Sequence, residues 1–104
     1  MQVQVNHDNH VRLGADVEQR FGDIIRDTLN RYGDRITRVE MHVSDENGGK
    51  GGESDKRCML EARMASLQPI AVSHLADSYQ LAFDGALEKL EHAISHTVGR
   101  LETH

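Results

Sequence analysis

Apolar residues recur along this chain with two different periods, and the switches between them outline its elements. Val3 and Val5 alternate with Gln2, Gln4 and Asn6, the two-residue period of a strand with one buried face. Over 14–32 the spacing becomes three and four. Val17, Phe21, Ile24, Ile25, Thr28, Leu29 and Tyr32 fall on one side of a helix, and Leu13 is placed to pack against Val17 where the helix begins. Gly33 suits a left-handed C-cap that ends it. Alternation returns over 37–44, with Val39, Met41 and Val43 set against Arg38, Glu40 and His42. It returns again where Cys58, Leu60, Ala62 and Met64 alternate with Met59, Glu61 and Arg63. Between these two strands the run DENGGKGGESDK has four glycines, mixed charge and no apolar residue, which predicts a flexible hairpin loop over 45–56. Pro69 opens a shorter apolar piece over 70–75, at a position a strand tolerates.

The longest periodic stretch comes last. Across 77–101, Tyr79, Phe83, Ala86, Leu87, Leu90, Ile94 and Val98 repeat every three or four positions, forming one face of a helix of about seven turns. Asp77 or Ser78 can cap its first turn by accepting a hydrogen bond from an otherwise unpaired N–H. On its polar side His92, His96 and Arg100 line up at i, i+4 and i+8. The order is β-α-β-β-β-α, and every element has one apolar side, so all must share a core. The predicted architecture is α+β: two helices packed on one face of a four-stranded mixed sheet, with a parallel crossover joining strands one and two. Residues 1–104 form a single domain with a frayed C-terminal end.

Charge narrows the function. Seventeen acidic against twelve basic side chains give a formal net charge of -5, so attraction to a polyanion must come from a local patch. With no Trp, two Tyr and two Phe, the chain has few platforms for stacking single-stranded bases. The lone Cys58 fits a reducing compartment, and alternation sends it inward, away from the electropositive exposure a nucleophile needs. MQVQVNHDNH has neither a basic n-region nor an apolar run, and no stretch approaches the roughly 18 apolar residues of a membrane span, so a soluble, cytoplasmic protein is expected.

Candidate catalytic and metal chemistry is thin. His92 and His96 have metal-ligand spacing but neither a nearby third ligand nor the glutamate of HExxH. His7, Asp8 and His10 precede a helix, where such residues serve turns and caps. GGKGG lies between two strands, the wrong context for a phosphate-binding loop. No cofactor and no metal are called for. Arg20, Arg31, Arg35 and Arg38 concentrate guanidiniums around the first helix and the turn after it, a candidate phosphate-contact surface diluted by Asp23, Asp27 and Asp34.

Three pieces, in this order, resemble the hibernation-promoting factor and ribosome-associated inhibitor family, also described as sigma-54 modulation or ribosomal subunit interface proteins. They are the opening MQVQV strand, RYGDRI at the end of helix one (Tyr32, Asp34, Arg35, Ile36), and AFDGALEKLEHAI in helix two (Ala82, Phe83, Asp84, Lys89, Leu90). The length is similar to the short form. The resemblance implies a non-enzymatic bacterial factor of stress and stationary phase that binds the decoding region of the small ribosomal subunit and suppresses translation. Its partner would be 16S-type rRNA, with ribosomal proteins as further contacts, and the protein a monomer or weak homodimer. Recognition would be by shape and phosphate, through Arg20, Arg26, Arg31, Arg35, Lys89, His92, His96 and Arg100.

Two departures stand out. Helix one is slightly acidic, and His92 and His96 stand where the family tends to have Arg or Lys. The alternative is therefore a divergent member that has lost strong ribosome binding and acts as a protein–protein interaction module, through a sheet edge or the exposed sheet face. A contiguous positive band across both helices favours RNA; a broken one favours a protein partner.

Overall fold

The computed structural model describes residues 1–8, 11–46 and 55–102. Its elements are β1 (Gln2–His7), α1 (Ala15–Leu29), a 3-10 stretch (Asn30–Arg35), β2 (Ile36–Asp45), β3 (Lys56–Met64), β4 (Ile70–Ala76) and α2 (Tyr79–Glu102). The strands lie in the order β1-β2-β3-β4, with β1 parallel to β2 and the other pairs antiparallel. This is the expected α+β architecture.

Strand register explains why one face of the sheet is dry. Val5, Met41, Leu60 and Val72 stand in one row, and Val3, Val39, Ala62 and Ile70 in the next. These rows meet Phe21, Ile25 and Leu29 of α1 and Phe83, Leu90 and Ile94 of α2 in a single core. Burying a side chain such as Leu90 or Ile94, both with no exposed surface, contributes roughly 1.5–3 kcal/mol each. Cys58 belongs to the same core, and burial pushes its thiol pKa up to about 12, so it stays protonated and unreactive. Among the described residues no helix covers the opposite rows, such as Gln4, Glu40, Glu61 and Ala71.

Helix one is shorter than its periodicity suggests. The α-helix stops at Leu29, and Asn30–Arg35 tightens into 3-10 geometry, so Tyr32 lies beyond the α-helix rather than in its last turn. Gly33 does take a positive φ of 55°, but its ψ of -128° is not that of a left-handed helical cap; it turns the chain out of the 3-10 stretch into β2. The hairpin ladder also runs further than expected: Asp45 pairs with Lys56, and Glu46 N–H donates to the Asp55 carbonyl at 2.8 Å. The rest of the predicted loop, 47–54, and the last two residues lie outside the described residues.

At the start of α2, Ser78 is the cap, its Oγ accepting the Leu81 N–H at 3.1 Å. About two turns later Gly85 lets the helix close down on β4, for a Cβ there would overlap the His74 imidazole. Gly85→Ala should therefore lower stability by about 1–3 kcal/mol, the usual cost of overpacking, despite the better helix propensity of alanine. Adding His74→Ala should recover most of that loss in thermal denaturation. A Gly85→Ala protein as stable as the original would contradict the close approach.

Candidate nucleic-acid interface

Two contacts show how α1, with its 3-10 extension, and α2 sit together. Arg20 donates to Gln80 Oε1 at 3.1 Å, and Arg31 pairs with Glu91 at 3.7 Å. The partners advance together along both helices, so the helices run side by side in the same direction. Beyond the end of α1, Arg31, Tyr32 and Arg35 face Ser95, Val98 and Gly99 across an open groove of about 330 Å³. Arg31 donates to the Tyr32 hydroxyl at 2.6 Å and lies 4.8 Å from the centre of the Tyr32 ring, which holds its guanidinium at the groove wall. Two guanidiniums, a phenol and a serine hydroxyl on the rim of an open groove can take phosphate oxygens without reading a base edge.

The eight sequence-predicted contact residues do not form one surface. Arg20, Arg31 and Arg35 share the side of helix one and its 3-10 extension that meets α2. Arg26 lies on the opposite flank, paired with Asp23 at 3.4 Å and lining a groove along β1. On α2, Lys89 donates to the Ser73 carbonyl of β4 at 2.9 Å, which marks that flank as the one turned away from α1. Helical spacing puts His92, His96 and Arg100 in the exposed stripe that continues from Lys89. The flank of α2 that faces α1 instead carries Gln80, Asp84 and Glu91, with Glu88 beside them. Acidic side chains thus stand between the cations of the two helices, and the positive band is broken.

Sequence reading missed the groove itself. Tyr32 reads as an apolar position and as part of RYGDRI, and it is partly packed against the core, but its hydroxyl serves Arg31. Ser95 is legible only as part of the polar side of the last helix, and Gly99 carries no signal without knowledge of how the helices pair.

The other polar clusters are structural. His7 pairs with Glu18 at 3.3 Å and His42 with Asp8 at 2.9 Å, fastening the end of β1 to α1 and β2; His10 lies outside the described residues. Lys56 bridges Asp55 at 3.0 Å and Asp45 at 3.3 Å beneath the Tyr79 ring. The Asp55 hydrogen bond raises the Lys56 pKa above the ordinary lysine value, while burial raises that of Tyr79. Among the described residues no group of three or more His, Cys, Asp or Glu side chains is arranged to hold a metal ion, and no helix is long and apolar enough to cross a membrane.

No protein-family model and no curated protein matches the chain by sequence. Solved structures do match. The N-terminal domain of Thermus thermophilus Protein Y superposes with a TM-score of 0.72 at 15% identity, covering 93% of this chain and 99% of that one. The chain has the protein Y fold. A ribosomal subunit interface protein from Coxiella burnetii gives a TM-score of 0.71, also at 15% identity, covering 95% of this chain and 99% of that one. The fold is thus consistent with the hibernation-promoting factor family that the sequence resembles, while the side chains on the protein Y scaffold are largely this chain's own.

Lys56→Met removes the cation between two carboxylates that are almost fully buried, Asp45 and Asp55. It should lower the melting temperature at neutral pH, and adding Asp55→Asn should restore part of the loss, since one buried charge is then gone. Equal melting temperatures for the original and Lys56→Met would show that the bridge is not structural.

Proposed function

We propose that this chain is a ribosome-associated hibernation factor that acts by occupying the small subunit rather than by catalysis. The observation that carries this reading is the shared fold: a ribosomal subunit interface protein and the Protein Y domain align along almost the whole chain. The groove between the 3-10 stretch and α2 supports it. Arg31 and Arg35 are its phosphate-contact residues and Arg20 extends the same side, while Lys89, His92, His96 and Arg100 form a second, separate contact stripe. Recognition is by rRNA backbone and shape in the decoding region, so affinity falls as salt rises.

Cosedimentation with purified small subunits between about 50 and about 200 mM salt tests this. The protein should pellet at low salt and be released at high salt. Arg31→Ala/Arg35→Ala should weaken binding and reduce the salt slope by about 2, one unit for each phosphate that is no longer neutralised. Failure to pellet at low salt and mildly acidic pH would overturn the proposal.

His92→Glu/His96→Glu tests the second stripe: it should weaken pelleting by setting carboxylates against phosphate, and unchanged pelleting would exclude the two positions from the contact. The acidic row Asp84, Glu88 and Glu91 favours a second reading, a divergent module whose partner is a protein. Pelleting separates the two readings, because that module would ignore ribosomes.

A further inference from the structure

The edge of β1 has no use in the ribosomal reading, yet it is the least protected part of the sheet. Its six residues pair with β2 at every position without a bulge, and QVQVNH has no Lys, Arg, Asp, Glu or Pro to deter a further strand. The other edge, β4, is preceded by Pro69 and has Lys89 bound to its Ser73 carbonyl. Above the β1 edge the flank of α1 makes a groove of about 350 Å³, with Gly22 at its middle, close to Val3.

Charge along this flank is arranged for a copy of itself. Glu18 is beside His7, at the end of β1, whereas Arg26 lines the groove at Met1 to Val5, at its start, so α1 runs opposite to β1. Glu18 and Arg26 stand four residues to either side of Gly22. A two-fold axis through Gln4 would pair β1 antiparallel with a second β1, placing Gln4 opposite Gln4, and Val3 opposite Val5. The same axis brings each Arg26 toward the other copy's Glu18. The Gln4 side chain is held within its own copy, accepting from Arg38 and donating to Asn6 at 3.1 Å, so the strands join through backbone groups and the helices through Arg26 and Glu18. The existing Arg26–Asp23 pair is half-exposed and weak, so Arg26 can exchange partners at little cost.

From these features we infer that two copies of this chain associate through their β1 edges, joining two four-stranded sheets into one and matching Arg26 to Glu18 twice across the helix layer. The contact is small, which makes the dimer weak and concentration-dependent. It stands on the sheet edge and not on the ribosomal reading, and it leaves the groove at Arg31 and Arg35 open on both copies. It also gives Arg26, which the groove does not use, a role of its own.

Sedimentation equilibrium from about 10 µM to about 1 mM should show mass rising from 11.7 kDa toward twice that value. Arg26→Glu should weaken association by at least about tenfold by setting like charges together, and Arg26→Glu/Glu18→Arg should restore it. Circular dichroism on each variant separates weakened association from a damaged fold. Gln4→Cys should give a disulfide-linked dimer under mild oxidation, which Ser73→Cys near the other edge should not; Cys58 is buried and takes no part. A monomer throughout the range, or a dimer indifferent to Arg26→Glu and giving no Gln4→Cys cross-link, would overturn the inference. Neither result bears on ribosome pelleting, so the two proposals fail separately.

Discussion

The only two phenylalanines of this chain are stacked on each other, ring centroids 4.2 Å apart and planes 13° from parallel. Phe21 comes from α1 and Phe83 from the first turns of α2, and both are almost completely buried against the sheet. In a small domain without tryptophan, this pair is where both helices and the sheet are locked together. It fixes the position of one helix along the other, and the Arg20–Gln80 and Arg31–Glu91 contacts follow from that alignment. The groove past the end of α1 is a further result: α2 is 24 residues long and α1 only 15, so α2 outruns its neighbour and the 3-10 stretch folds against the surplus.

The same alignment decides the electrostatics. Had α2 been rotated so that Lys89 and Arg100 faced α1, the basic residues of both helices would have merged into one band. Instead Leu90, Ile94 and Val98 set the buried side of α2, and that choice turns Glu91 toward α1 and Lys89 toward β4. In a chain of net charge -5 the candidate contact cations of the helices are therefore split between the groove past α1 and the outer stripe of α2, with Arg26 on a further flank and carboxylates among them. Binding to a polyanion on this scaffold depends on a few well-placed guanidiniums rather than on a broad field.

Much of the fold was legible because each element has a single apolar face with a clear period. Val39, Met41 and Val43 could only be one side of a strand, and Phe83, Leu90 and Ile94 only one side of a helix. The end of helix one was not legible, since Tyr32 continues the helical spacing while the backbone has already tightened to 3-10 geometry ahead of Gly33. Val11, buried to 2% exposure, was missed because it stands alone in a connection with no neighbouring pattern. The residue types of the candidate site could be read from the sequence, but not their grouping. Whether Arg26 joins Arg31 or faces the other way depends on helix packing, a tertiary property that local spacing does not encode.

If rRNA meets this protein at the groove formed by Arg31, Arg35 and Ser95, a tethered cleavage probe reveals it most directly. Ser95→Cys can be labelled selectively with an iron chelate because the native thiol of Cys58 is buried and protonated. Bound to small subunits and triggered to release hydroxyl radicals, this probe should cut rRNA within the decoding region. A probe carried instead on the open sheet face, at Glu61→Cys, should cut far less. Equal cutting from both positions, or none from Ser95→Cys while the protein remains bound, would contradict rRNA contact at this groove.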